Sequence, residues 1–149
     1  MTKHMKIRKA VEGDIEFLKG SLEENRRIEE RPKKDIQVTQ EDVESFKKGI
    51  RQGSILVAEI DNNPVAFLYY RTDWDVMYVN ERIFWIDLIF VKEDFWGRGI
   101  GRMLYDEAIK IAKELGFRLI TIDVFEANER SKRFHSRLGF EPVYTIYQK

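Results

Sequence analysis

The sequence predicts an α/β fold with a mixed, mostly antiparallel central sheet flanked by helices. Helical and strand periodicities follow one another in the order β-α-α-β-β-β-α-β-α-β, and no repeat or low-complexity linker interrupts them. A glycine-rich turn joins an apolar strand to a long amphipathic helix, the connection an α/β sheet needs. The 149 residues are therefore read as one domain, 1–149.

Residues 6–10 alternate and give the first strand. Asp14 is placed as the N-cap of a helix carrying Ile15, Leu18 and Leu22 on one face. The charged run 23–34 contains Pro32, which ends any helix, and reads either as a solvated helix end and loop or as a wall of a substrate cleft. Thr39, with Asp42 three residues on, approximates a capping box for a second helix that buries Val43, Phe46 and Ile50. Residues 54–60 and 65–70 form a hairpin about the turn 61–64, and a polar-aromatic connection leads to a strand beginning near Arg82. The helix 100–115 places Ile100, Leu104, Ala108, Ile111, Ala112 and Leu115 on its buried stripe, and Gly116 closes it. A strand over 118–125, a helix capped by Asn128 and closed by Gly139, and a final strand or strands over 140–148 complete the order.

Composition narrows the function classes. Lys plus Arg and Asp plus Glu number 26 each, so the global charge argues for neither nucleic acid nor an anionic membrane as partner. No apolar run approaches the ~20 residues of a membrane span, and the first ten residues lack the apolar core of a signal peptide. There is no cysteine, hence no disulfide, thiolate metal site or cysteine nucleophile. A cytoplasmic protein is the expectation, with no metal site. A charged fraction of 35% without cysteine hints at a thermophilic source.

Residues 86–102, IDLIFVKEDFWGRGIGR, organise the rest. A buried strand runs to Val91, Gly97, Gly99 and Gly101 free the backbone, and a helix starts at Ile100. The first N–H groups of a helix lack intrahelical partners and its dipole favours negative charge, so this is an anion site. It is neither of two common phosphate motifs. The Walker pattern needs Lys and then Ser or Thr where Arg102 and Met103 stand, and the third dinucleotide glycine is Arg102 counted from Gly97, or Leu104 counted from Gly99.

Trp96-Gly97-Arg98-Gly99-Ile100-Gly101 resembles instead the pyrophosphate loop of GNAT-type N-acetyltransferases, which usually have Arg or Gln at the position of Trp96. The segment from Asn128 to Phe140 resembles the closing N-x-x-A-x-x-x-Y-x-x-x-G-F of that family. Asn128, Gly139 and Phe140 match, Ser131 stands for the small residue, and His135 replaces the usual Tyr. The resemblance covers nearly the whole chain. It implies a single N-acetyltransferase domain that moves an acetyl group from acetyl-CoA, its cosubstrate, to a primary amine by direct attack. Small amines, polyamine-like molecules and protein N-termini or lysines are all admissible acceptors. By the same resemblance, backbone groups at Ile89, Phe90 and Val91 bind pantetheine, Trp96, Gly97, Arg98, Gly99, Ile100, Gly101 and Arg102 form the pyrophosphate loop, and Asn128 bonds the pantetheine arm, or simply caps its helix. His135 takes the place of the family's general acid, although a lone His on a helix face is often a packed residue. Dimerisation is common in the family, but no residue here specifies a homodimer.

Asp87 interrupts an apolar strand, where a carboxylate needs either a use or a partner. It is the first candidate for the general base, the alternative being a pairing with a neighbouring Arg or Lys; Glu81 is the second candidate. Arg98 and Arg102 could meet CoA phosphates, whereas Arg130 and Arg133 read as solvated. Asp73, Asp75 and Glu81 beside Trp74 and Tyr78 suit a cationic amine, or an ordinary exposed loop. A competing class is a GNAT-like module that binds CoA as a sensor or structural part, without catalysis. A nucleotide-binding protein using the same turn is disfavoured by the failed fingerprints.

Overall fold

A computed structural model describes residues 4–73 and 80–149. Five strands, β1 (Met5–Lys9), β2 (Ile55–Ile60), β3 (Asn63–Arg71), β4 (Ile83–Val91) and β5 (Leu119–Ile122), pair side by side in chain order. The first three pairings are antiparallel, and β4 with β5 is parallel. A parallel neighbour requires a crossover, supplied by α3 (Ile100–Glu114). Helices α1 (Ile15–Ile28) and α2 (Gln40–Gln52) cover the opposite face, and α4 (Glu129–Arg137) follows β5.

Because strand side chains alternate, the sheet has two apolar faces. Leu56, Leu68, Phe84 and Ile86 pack with Ile100, Leu104, Tyr105 and Ala108 of α3. On the other face Val57, Phe67, Tyr69 and Phe90 meet Leu18 and Leu22 of α1 and Phe46 of α2. Each buried large apolar side chain contributes roughly 1.5–3 kcal/mol relative to exposure.

Several local signals behave as the sequence implies. Thr39 Oγ1 accepts from the Asp42 N–H at 3.2 Å and Asp42 Oδ2 accepts from the Thr39 N–H at 2.8 Å, completing the capping box. The hairpin turn is tighter than the four-residue reading. Asp61 and Asn62, with φ of 50° and 68°, make a two-residue connection, and β3 resumes at Asn63.

Asp14 stands at the N-cap position of α1 as expected, but its side chain accepts no cap bond from that helix; the buried carboxylate accepts from the Val11 N–H at 2.8 Å and from the Arg8 guanidinium at 2.8 and 2.9 Å. Two expectations are corrected. Leu115 lies beyond the last helical residue and is 50% exposed, while Tyr105, absent from the expected stripe, is fully buried. Residues 140–149 form no strand, and Val143, Tyr144, Ile146 and Tyr147 are exposed. Alternation makes a segment compatible with a sheet, but a strand also needs an edge that accepts it.

Candidate functional site

The site starts where β4 leaves β5. Their pairing ends at Ile86 opposite Ile122; Asp87 continues β4, and Asp123 is the first residue after β5. At that point β4 also bulges against β3. Tyr69 faces Leu88 and Tyr70 faces Ile86, which leaves Asp87 as the extra residue. A bulge reverses the alternation and bends the strand. Ile86 accordingly packs on the α3 side, Leu88 and Phe90 on the α1–α2 side, and Ile89 and Val91 on the α3 side again. Beyond the bulge, residues 88–91 pair with β3 but not with β5.

A short 3-10 turn, Glu93–Phe95, carries the chain from β4 into the glycine loop. Gly97 and Gly99 both have left-handed backbones, with φ of 77° and 78°, and Gly99 is the N-cap of α3. No side chain caps this helix and its first turn holds no acid, so its leading N–H groups and dipole face outward together with Arg102. Gly101 is constrained differently: a Cβ there would come 3.1 Å from Phe134 of α4. Trp96 anchors the loop, its indole N–H donating to the Val91 carbonyl at 2.8 Å, while the Arg130 guanidinium stacks 3.8 Å above the indole. That bond uses the Val91 carbonyl, so the strand groups left for an extended ligand come mainly from Ile89 and Phe90. Arg98 stacks on Phe95 at 4.9 Å.

The loop opens on a cavity of about 370 Å³ bounded by residues 89–91 of β4, the loop, Arg102, Asn128 and the inner side of α4. Asn25 and Ile28 of α1 close it, so part of the charged run after residue 22 does form a cleft wall. Asn128 caps α4, its Oδ1 accepting from the Ser131 N–H at 3.1 Å, and it also faces the cavity.

His135 borders the same cavity but is only 4% exposed. Its Nδ1 lies 2.7 Å from the Ser131 carbonyl, an acceptor, so Nδ1 carries the proton. Nε2 then accepts from the Tyr105 hydroxyl. Burial lowers the imidazole pKa, opposed by the Ser131 carbonyl, and burial holds the Tyr105 phenol well above its ordinary value. The ring is neutral with both nitrogens engaged, which leaves it no free proton to give to a departing thiolate.

A second cavity of about 250 Å³ adjoins the first along β4 and α1. Asp87 lines it and is paired, its Oδ2 accepting from Arg71 Nε at 3.0 Å; Arg71 also donates to Ser45 Oγ at 2.7 Å and lies over the Tyr69 ring. Arg26 is bonded to Asp42 at 2.9 Å, and Arg31 to Glu29 at 2.8 Å. Glu29 is pushed above its ordinary pKa by burial, with Arg31 opposing. Asp123 lines the cavity too, and sequence reasoning missed it. The signal was available, because the alternating strand over 118–125 ends its polar series on that residue. Glu81 pairs with Arg118 at 3.4 Å and Asp73 with Lys48 at 3.3 Å; neither lines either of these two cavities. Trp74, Asp75 and Tyr78 fall outside the described residues.

An open helix N-terminus after a parting strand, with a carboxylate-lined cavity beside it, defines an anion seat next to a site for a small polar ligand. A model of the acetyltransferase (GNAT) family matches residues 21–140. The chain belongs to that family. An N-acetyltransferase of Archaeoglobus fulgidus is 29% identical over 137 residues, covering 89% of this chain and 90% of that protein. Another, from Methanocaldococcus jannaschii, is 36% identical over 90 residues; the match covers 60% of this chain and spans only 40% of that relative's length. Among solved structures, a transcriptional regulator from Bacillus halodurans superposes with a TM-score of 0.78 at 27% identity over 98% of this chain and 99% of its own. An aminoglycoside N-acetyltransferase in complex with the bisubstrate analogue CoA-S-monomethyl-acetylneamine superposes with a TM-score of 0.74 at 20% identity over 99% of both chains, a likeness of fold.

Proposed function

We propose that this chain is an acetyl-CoA-dependent N-acetyltransferase acting on a primary amine as a single domain, 1–149. One observation carries the reading: the uncapped N-terminus of α3 lies at the end of a strand that has left its neighbour, so an anion seat and a row of strand backbone groups border one cavity. The pyrophosphate of acetyl-CoA sits on the N–H groups of residues 97–102, with Arg102 adding charge. Pantetheine runs along Ile89 and Phe90 in the gap between β4 and β5, and Asn128 bonds its arm while capping α4. This path brings the thioester toward residues 87–89, where the second cavity begins.

The amine enters from the second cavity, whose carboxylates suit an ammonium. Small amines and polyamine-like molecules fit this opening better than a folded protein surface does, since Arg26, Arg31 and Arg71 also border it. Asp87 serves as a fixed anion for the acceptor, oriented by Arg71. His135 positions α4 against α3, and water protonates the departing thiolate. Among the described residues no helix is long and apolar enough to cross a membrane, and a cytoplasmic location belongs to this reading.

Two measurements test it. Calorimetry with acetyl-CoA should give saturable 1:1 binding that weakens when the loop is altered. A thiol-release assay with acetyl-CoA and a panel of spermidine, neamine and a lysine-containing peptide should show amine-dependent turnover. Binding without turnover across the panel would favour a CoA sensor or structural module instead.

A further inference from the structure

We infer that Asp123 is the group that takes the proton from the attacking amine, with Asp87 as the fixed partner that holds the ammonium beside it. The inference rests on the acetyl-transfer reading above and assigns its base. Its foundation is register. Asp87 and Asp123 follow the last paired residues of two adjacent parallel strands, and there β4 bulges toward the α1–α2 side. Ile120 and Ile122 pack on the α3 side, while Asp123, the first residue after β5, lines the second cavity together with Asp87. Both carboxylates therefore stand at the mouth of the gap between the strands.

Charge pairing separates the two. The cavity is lined by Glu29, Asp42, Asp87 and Asp123 and by Arg26, Arg31 and Arg71, four carboxylates against three guanidiniums, a balance of −1. Each guanidinium is bonded to one carboxylate: Arg26 to Asp42, Arg31 to Glu29, and Arg71 to Asp87. Among the described residues Asp123 makes no ion pair. It is the carboxylate left over for an incoming cation. Asp123 is exposed at the cavity rim, and desolvation on its protein side, with the Asp87 charge, raises its pKa against the pull of its own backbone N–H and of Arg31. A carboxylate without an ion pair, open to the cavity and raised in pKa is the better proton acceptor of the two, whereas Asp87 is bound up with Arg71.

The step balances. The acceptor enters as an ammonium, and one N–H proton passes to the Asp123 carboxylate. The freed lone pair attacks the acetyl carbonyl carbon, the C–N bond forms and the C–S bond breaks. The second proton on nitrogen passes through water to the CoA thiolate, and Asp123 returns its proton to solvent. The products are the N-acetyl amine, CoA thiol and one proton.

The experiment is the pH dependence of thiol release for the wild type, Asp123→Asn, Asp123→Glu and Asp87→Asn, using the best acceptor in the panel, with acetyl-CoA affinity measured on the same samples. For Asp123→Asn, kcat/KM at pH 7 should fall by roughly 10²-fold or more, the range lost with a general base. Its acidic limb should move up toward the free amine's own titration, near ~10 for an alkylamine such as lysine. Acetyl-CoA affinity should stay unchanged, and Asp123→Glu should restore part of the rate and the lower limb. Asp87→Asn should instead raise the acceptor KM and move the limb to lower pH, since the like charge that raises Asp123 is gone. An Asp123→Asn enzyme that keeps the wild-type limb and a rate within about threefold, far short of that range, would overturn the assignment while leaving acetyl transfer intact. Absence of amine-dependent thiol release from the wild type would remove the acetyl-transfer reading and this assignment together.

Discussion

Asp14 and Asp123 are both carboxylates set against the same sheet, and their surroundings use them in opposite ways. Asp14 is 5% exposed and saturated: Arg8 forks onto both oxygens, the Val11 N–H adds a third bond, and the same guanidinium reaches Glu59 at 2.8 Å. Burial alone would raise its pKa, but the Arg8 bonds and the Val11 N–H together pull it below the ordinary value. Among the described residues Asp123 makes no ion pair, and desolvation pushes it up against the pull of its own backbone N–H. A charge with every bond made fastens β1 to β2 and the start of α1. One left open is held ready for something the chain does not itself contain. The difference separates the part of the molecule that secures the fold from the part that does chemistry.

The largest effect should come from breaking the saturated cluster. Arg8→Met leaves Asp14 and Glu59 buried without their cation, and removing one member of a buried ion pair typically costs about 3–5 kcal/mol. Urea unfolding should show a loss near the lower end of that range, because Arg8 is itself a quarter exposed. Acetyl-CoA affinity of the folded fraction should not change. Asp123→Asn should do the reverse, holding or raising the melting temperature while activity falls. A carboxylate whose folded pKa is raised opposes folding once it ionises, so neutralising it relieves that opposition at pH 7.

Next in size is the anion seat. Gly99→Val places a β-branched residue at φ 78°, a backbone that costs on the order of 1–3 kcal/mol. Acetyl-CoA binding should weaken about tenfold or more, each tenfold being ~1.4 kcal/mol. Gly101→Ala is the more informative partner, since its Cβ meets Phe134 rather than open space, and it should lower stability along with affinity. Calorimetry and thermal melts on both variants separate the two origins.

Arg71→Met sharpens the contrast within the second cavity. It removes the cation that pairs Asp87 and leaves the cavity more negative around Asp123. The acidic limb of kcat/KM should then shift to higher pH, because a like charge without its counterion disfavours ionisation of a neighbour. A limb at the wild-type position would mean the two carboxylates do not sense each other.

His135 carries the smallest effect. Its folded pKa is lowered, so the unfolded chain binds the proton more readily, and stability should decline as pH falls from about 6.5 toward the folded value. His135→Asn should flatten that decline in urea midpoints measured between pH 7 and 5. At the same time turnover should stay within a few-fold of wild type, as expected of a residue that packs rather than donates a proton; losing a general acid–base residue would remove ~10²–10⁴-fold.

What could be read in the sequence was what is local. The Thr39–Asp42 box, the existence of a hairpin turn after Ile60, the glycine loop and the closing glycines each depend on neighbours within a few residues. The glycine loop and the start of α3 were legible for the same reason, because three glycines before an amphipathic helix encode both. Long-range pairing was not legible. The bulge at Asp87 exists only against Tyr69 and Tyr70, and the juxtaposition with Asp123 depends on a parallel register some 36 residues away in sequence. His135 illustrates the same limit. Its helix position matched a catalytic one, yet Tyr105 of α3 occupies its Nε2. The alternating tail 140–149 had the composition of a strand, but no edge among the described residues takes it up.

The most direct measurement is a side-chain carboxyl titration of the wild-type protein by carbon NMR, with Asp14 and Asp123 assigned through their Asn variants. The pairing pattern predicts that Asp14 titrates below the ~3.9 of an unperturbed aspartate and Asp123 above it. Addition of an amine acceptor should move the Asp123 resonance and leave Asp14 in place. If the two titrated together, or if Asp14 lay above Asp123, the division between a saturated structural carboxylate and an open chemical one would be wrong.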